Sequence, residues 1–99
     1  MAENIFEGVN GLILTEVRVF PFKEDLGHLK ALAVVTFNGS LTVRGLRVMD
    51  GTDGLFVSYP LDPFYRGEDI RSVVKPEDAA LKAYVEEKVL AEYARVTDI

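Results

Sequence analysis

The sequence predicts an α+β domain: an antiparallel meander of four to five strands followed by one C-terminal helix, assembled as a homodimer. Three observations carry this expectation. Apolar and polar residues alternate through Leu12 to Phe22 and again through Leu29 to Phe37, the two-residue period of a strand. Glycine-containing turns at Phe37-Asn38-Gly39-Ser40 and Asp50-Gly51-Thr52-Asp53-Gly54 join successive runs closely enough to require hairpins. After Pro76 the period changes, and Leu81, Val85, Val89 and Tyr93 recur every fourth residue, as along one side of a helix.

The first strand is expected over Leu12 to Phe22, with Ile13, Thr15, Val17 and Val19 on one face and Glu16 and Arg18 on the other; Pro21 ends its pairing. Lys23 to His28 reads as a polar turn. In the second strand, Leu29 to Phe37, one face carries Ala31, Ala33, Val35 and Phe37, while Leu32 and Val34 make the other face apolar as well. A strand greasy on both sides needs cover on both, which favours a second copy packing against it. Asn38-Gly39 suits a type I′ turn, because both central positions need positive φ, and leads to a third strand, Leu41 to Met49. The fourth strand spans Leu55 to Tyr59. Pro60 to Gly67, with two prolines and the pair Phe64-Tyr65, reads as an irregular loop, and Ile70 to Val74 as a short edge strand. Pro76 suits a first helical turn, Glu77 and Asp78 complement its dipole, and the helix should run to about Ala94.

Ninety-nine residues make one domain near the lower end of self-sufficient cores, divided into a loose tail over 1–11 and a folded unit over 12–99. No apolar run approaches the roughly 20 residues that span a bilayer, and Met1-Ala2-Glu3-Asn4 lacks the start of a signal peptide, so a cytoplasmic location without membrane attachment is expected. The chain has no cysteine, which excludes disulfides and thiolate metal sites. Its net charge is -5, normally adverse to nucleic acid, yet the excess acid lies at the two ends. Residues 12–76 are neutral, so a local basic face remains open.

Enzymatic constellations are missing. His28, the only histidine, sits in a turn without a nucleophile nearby in sequence, and Asp50-Gly51-Thr52-Asp53-Gly54 lacks the ligand alternation and closing glutamate of a calcium loop. The same glycines fail phosphate-loop patterns, since no helix follows them. No cofactor, metal or small-molecule substrate is expected. The remaining candidates are Arg47, Arg66, Arg71 and Lys75, which could converge on nucleic acid or lie scattered as solvated surface.

The residues also carry a resemblance. Leu14-Thr15-Glu16-Val17-Arg18-Val19, Leu29 to Asn38, and the ordered run from Leu46 through Asp50-Gly51-Thr52-Asp53-Gly54 to Tyr59-Pro60, followed by Arg71, Pro76 and Val89-Leu90-Ala91-Glu92-Tyr93, resemble the SpoVG (stage V sporulation protein G, septation regulator) family of bacteria. The resemblance covers about Leu14 to Arg95. It implies a noncatalytic α+β homodimer that binds DNA or RNA and regulates gene expression linked to sporulation, cell division or septation, with Arg47, Arg66, Arg71 and Lys75 as candidate contacts. The chain departs from the family's pattern after Pro60, where Leu61-Asp62-Pro63 replaces a serine and two basic residues, and at Arg44, Gly45 and Lys75, where the family has His, Asp and His. Losing two cations weakens the expected phosphate contact. The alternative expectation is a protein-interaction module acting through the acidic helix and the Phe64-Tyr65 loop.

Overall fold

A computed structural model describes residues 8–97. Strands β1 (Leu14–Leu26), β2 (Leu29–Phe37), β3 (Leu41–Gly51) and β4 (Gly54–Ser58) form one antiparallel sheet in the order β1-β2-β3-β4, and helix α1 (Ala79–Thr97) packs across one face. The meander follows from short hairpins. Asn38 and Gly39 take φ of 53° and 62°, the pair of positive values that a type I′ turn needs, and the Ser40 N–H donates to the Phe37 carbonyl across 2.9 Å. At the third hairpin, Gly51 and Gly54 pair directly, which narrows the turn to Thr52 and Asp53.

The core lies between the sheet and the helix. Val19 from β1, Ala31, Ala33 and Val35 from β2, Leu46 and Val48 from β3 and Val57 from β4 meet Val85 and Val89 of α1, all buried. Alternation along each strand places these residues on one face. A bulge at Thr15 shifts the first register, so Leu14, rather than the expected Thr15, joins Val17 against the core.

Three further expectations are corrected. Pro21 does not end β1: it pairs with Ala31, four residues then face one, and the ladder resumes at Leu26 and Leu29. An edge strand tolerates proline because its missing N–H can fall on the unpaired side. Ile70 to Val74 adds no fifth strand to the sheet; it folds back on the chain after β4, with an isolated bridge between Leu61 and Ser72. Pro76 precedes the helix instead of opening it, and Asp78 is the cap, its carboxylate accepting the Ala80 N–H at 2.8 Å.

Residues 8–11 turn back tightly, with Val9 and Leu12 exchanging backbone hydrogen bonds of 3.0 and 2.9 Å; the rest of the expected N-terminal tail lies outside the described residues. Asn10 Nδ2 reaches the capping carboxylate of Asp78 at 2.9 Å. The Ala80 N–H first, then Asn10, hold the Asp78 carboxyl below its ordinary value. A lowered folded-state pKa stabilises the fold above the ordinary carboxylate pKa and ceases to do so as pH falls through the folded value. Asp78→Ala is therefore expected to lower the urea midpoint at neutral pH, with the gap from the parent closing in acid.

The helix also closes both flanks of the sheet. Tyr84 Oη accepts the Leu14 N–H at 2.9 Å, and Glu86 Oε2 accepts the Val57 N–H at 3.0 Å, so outward backbone donors on β1 and β4 are each satisfied from α1. Glu86 is thus structural, a role its place in an acidic helix did not reveal. Burial first, then the Glu86 charge, push the Tyr59 phenol above its ordinary pKa. Glu86→Ala strands the N–H of buried Val57 and is expected to cost roughly 1–3 kcal/mol in urea unfolding, whereas Glu86→Gln keeps an acceptor and should cost less.

Candidate nucleic-acid interface

The face of the sheet away from α1 is open. Register along β1, β2 and β3 aligns Arg18 with Val34, Phe20 with Leu32 and Leu32 with Arg47, and the Arg18 guanidinium lies 5.6 Å from the Phe20 ring centre. Phe20 and Leu32 remain exposed, an apolar band without cover in a single chain. Arg47 stands beside it because β3 alternates: its neighbours Leu46 and Val48 point into the core.

After β4 the chain makes a lobe over residues 60–73 whose two legs are tied together. Asp62 N–H donates to the Arg71 carbonyl and Val73 N–H to the Pro60 carbonyl, both at 2.7 Å, on either side of the Leu61–Ser72 bridge. Inside the lobe, Asp62 Oδ1 accepts the Phe64 N–H at 2.9 Å, the side-chain turn that aspartate makes well. Leu61-Asp62-Pro63 therefore forms a turn fixed by the Asp62 side chain. Tyr65 is packed so close to Gly67 that a Cβ there would collide with its ring, and the Arg71 guanidinium lies 4.4 Å from the Tyr65 ring centre.

Between the lobe and the open sheet face runs a groove of about 660 Å³, lined by Leu32, Gly45, Arg47, Pro60, Tyr65 and Arg71 among others. Gly45 occupies a bulge in β3, where two residues face Val34, and its φ of 86° is one that glycine adopts without strain. A Cβ at this position would lie 3.4 Å from Pro60. On the far side of Arg71 a second cleft, of about 940 Å³, holds Lys75 and Lys82 together with Glu77.

The structure accordingly brings Arg47 and Arg71 into one groove, and Arg71 and Lys75 into its neighbour. Arg66 lines neither and is exposed near the tip of the lobe. Lys82, which sequence reasoning missed, enters because it sits in the first turns of α1, beside the lobe's descending leg. Asp62 and Asp69 line the first groove too, so its charge is mixed. His28 lies elsewhere, its Nδ1 bonded at 2.8 Å to the Asp50 carbonyl, which fixes that nitrogen as the donor. No helix among the described residues is long and apolar enough to cross a membrane.

The SpoVG family model matches residues 12–95, which takes in the whole sheet, the lobe and nearly all of α1. The chain belongs to the SpoVG family. Among its relatives, "Putative septation protein SpoVG 2" of Listeria monocytogenes is 37% identical over 83 residues, covering 84% of this chain and 79% of the relative. "Putative septation protein SpoVG" of Geobacillus thermodenitrificans is 35% identical over 83 residues, covering 84% of each. The SpoVG protein of Bdellovibrio bacteriovorus, similarly named, is 35% identical over 82 residues, covering 83% of this chain and 73% of the relative. The lobe and both clefts fall inside the residues that the SpoVG family model matches.

Proposed function

We propose that this SpoVG protein is a noncatalytic nucleic-acid-binding regulator, working as a cytoplasmic homodimer on gene expression linked to sporulation, cell division or septation. The observation that carries the reading is the convergence of Arg47 and Arg71 on one groove, with Lys75 and Lys82 continuing the cationic line past Arg71. Residues far apart in sequence thereby offer charge along one surface of a chain whose net charge is -5. The septation names of its relatives support the cellular role. The open band of Phe20 and Leu32 supports the dimer, because a second copy laid on it would remove apolar surface from water. Neither metal nor cofactor is called for.

Fluorescence anisotropy with labelled DNA and RNA, single-stranded and duplex, at low salt tests this. Affinity should fall steeply as salt rises, since each phosphate contact releases counterions. Absence of binding at tens of micromolar, or binding indifferent to salt, overturns it.

A second reading, protein docking through the Phe64-Tyr65 loop and the acidic helix, draws on Phe64, which is 82% exposed. Its acidic component is weakened, since Glu86 is bonded to Val57 and Glu92 is paired with Arg95. A stoichiometric protein partner that survives nuclease treatment would favour it.

A further inference from the structure

Building on the nucleic-acid reading, we propose that the groove between the open sheet face and the 60–73 lobe seats an unpaired nucleobase, which stacks on the Arg71 guanidinium. The protein would then select single-stranded nucleic acid, DNA or RNA, over duplex.

The groove's chemistry fits a base better than a phosphate. Its walls are apolar at Leu32, Pro60 and Ile70, and the carboxylates of Asp62 and Asp69 stand among them. A phosphate placed there would face two like charges and gain nothing from the apolar walls. A base is flat, uncharged and polarizable, and its amino groups can donate to carboxylates while its ring nitrogens and carbonyls accept from Arg47. Cations outnumber carboxylates in the neighbouring cleft, where Arg71, Lys75 and Lys82 stand with Asp69 and Glu77, so the phosphates suit that side better. One base in the groove and the adjoining backbone along the cleft would use both.

Arg71 is prepared for stacking. The Arg71 guanidinium lies over the Tyr65 ring, 4.4 Å from its centre, Gly67 allows that ring to sit where it does, and the backbone ties of Asp62 and Val73 hold the leg that carries Arg71. Arg71 is itself exposed and lines the groove, so a ligand seated there can reach its guanidinium. Guanidinium planes and aromatic rings are the surfaces on which unpaired bases stack, and a platform held in place beforehand loses little freedom on binding. Inside a duplex both faces of each base are already stacked, so a duplex cannot use the platform without opening. The volume, about 660 Å³, lies within the range of small-ligand sites.

The test uses the full chain and an oligonucleotide of about twelve residues, the scale of single-strand sites, carrying one 2-aminopurine. It is prepared as DNA, as RNA and as the corresponding duplexes. The protein has no tryptophan, so the probe's fluorescence is readily isolated. The single strand should bind at least about tenfold more tightly than duplex at equal salt, with the probe's emission rising as the base leaves its neighbours for the groove; a stacked base contributes an effect of about this size. Whichever of the DNA and RNA strands binds more tightly supports the seat and tells which sugar it accepts. Arg71→Lys keeps the charge but not the plane: it should weaken single-strand binding about tenfold, abolish the rise in emission and leave the salt slope unchanged. Tyr65→Phe should behave as the parent, and Tyr65→Ala as Arg71→Lys. Equal affinity for duplex and single strand, or Arg71→Lys binding within about twofold of the parent, overturns the seat while the nucleic-acid reading stands. Failure of every nucleic acid to bind overturns both.

Discussion

Replacing Arg47 and Arg71 together by alanine is expected to reduce nucleic-acid affinity by at least about tenfold at low salt and to flatten its salt dependence. The two guanidinium groups line one groove, and Arg71 is shared with the cleft holding Lys75 and Lys82, so the double change breaks the cationic line in its middle. Each neutralised phosphate adds about 0.7 to the log–log salt slope on a single strand and about 0.9 on duplex, so the slope should fall by about that much for every phosphate the variant no longer engages. Both side chains are exposed and neither is buried in the core, so unfolding midpoints should scarcely move. Arg66→Ala is the internal comparison. Arg66 lies outside both clefts, and its removal should weaken binding much less than either groove arginine. Equal losses for Arg66 and Arg71 would mean that the protein uses diffuse charge and not this groove.

Leu46→Ala is expected to cost roughly 2–5 kcal/mol of unfolding free energy, read from urea or thermal denaturation. Leu46 is fully buried and is among the largest of the fully buried side chains, in a core made otherwise of valine and alanine. Its register partner Ala33 and the other buried core residues are alanine or valine, and a close-packed interior relaxes only partly into the space a lost side chain leaves. In a domain this small the loss is a large share of the usual 5–15 kcal/mol total, about as much as one residue can remove. The contrast with the arginine pair is informative, because one variant should lose stability and the other binding. A shallow effect at Leu46 would mean that the sheet-to-helix packing described above is not what holds the domain together.

Alternation and turn chemistry made the meander readable. Ala31, Ala33 and Val35 declare one face of β2, Asn38-Gly39 declares its turn, and the four-residue spacing of Leu81, Val85, Val89 and Tyr93 declares the helix. Registers were harder. The bulge at Thr15 and the passage of β1 beyond Pro21 depend on what the neighbouring strand offers, which local pattern does not encode. The short segment at Ile70 to Val74 has strand composition, yet Leu61 and Ser72 pair with each other instead of with the sheet, a tertiary choice.

For the candidate site, residue type was legible and convergence was not. Arg47 and Arg71 stood out as cations in a neutral region, but only the fold brings a strand residue and a lobe residue to one groove. The stacking of Arg71 on Tyr65 spans six positions with no regular period to announce it. Glu86 misled in the opposite sense: it counts as surface acid until the edge of β4 is seen to donate to it.

The clasp between the two legs of the lobe has an implication for how the protein can change. Because Asp62 and Val73 lock the base of the excursion, its apex hangs from a closed ring and not from the sheet. The exposed side chains of Phe64 and Arg66 could be exchanged with modest thermodynamic penalty, since surface substitutions usually change stability by less than about 0.5 kcal/mol. Ligand preference can therefore drift, or be engineered, at the apex while the scaffold beneath stays the same.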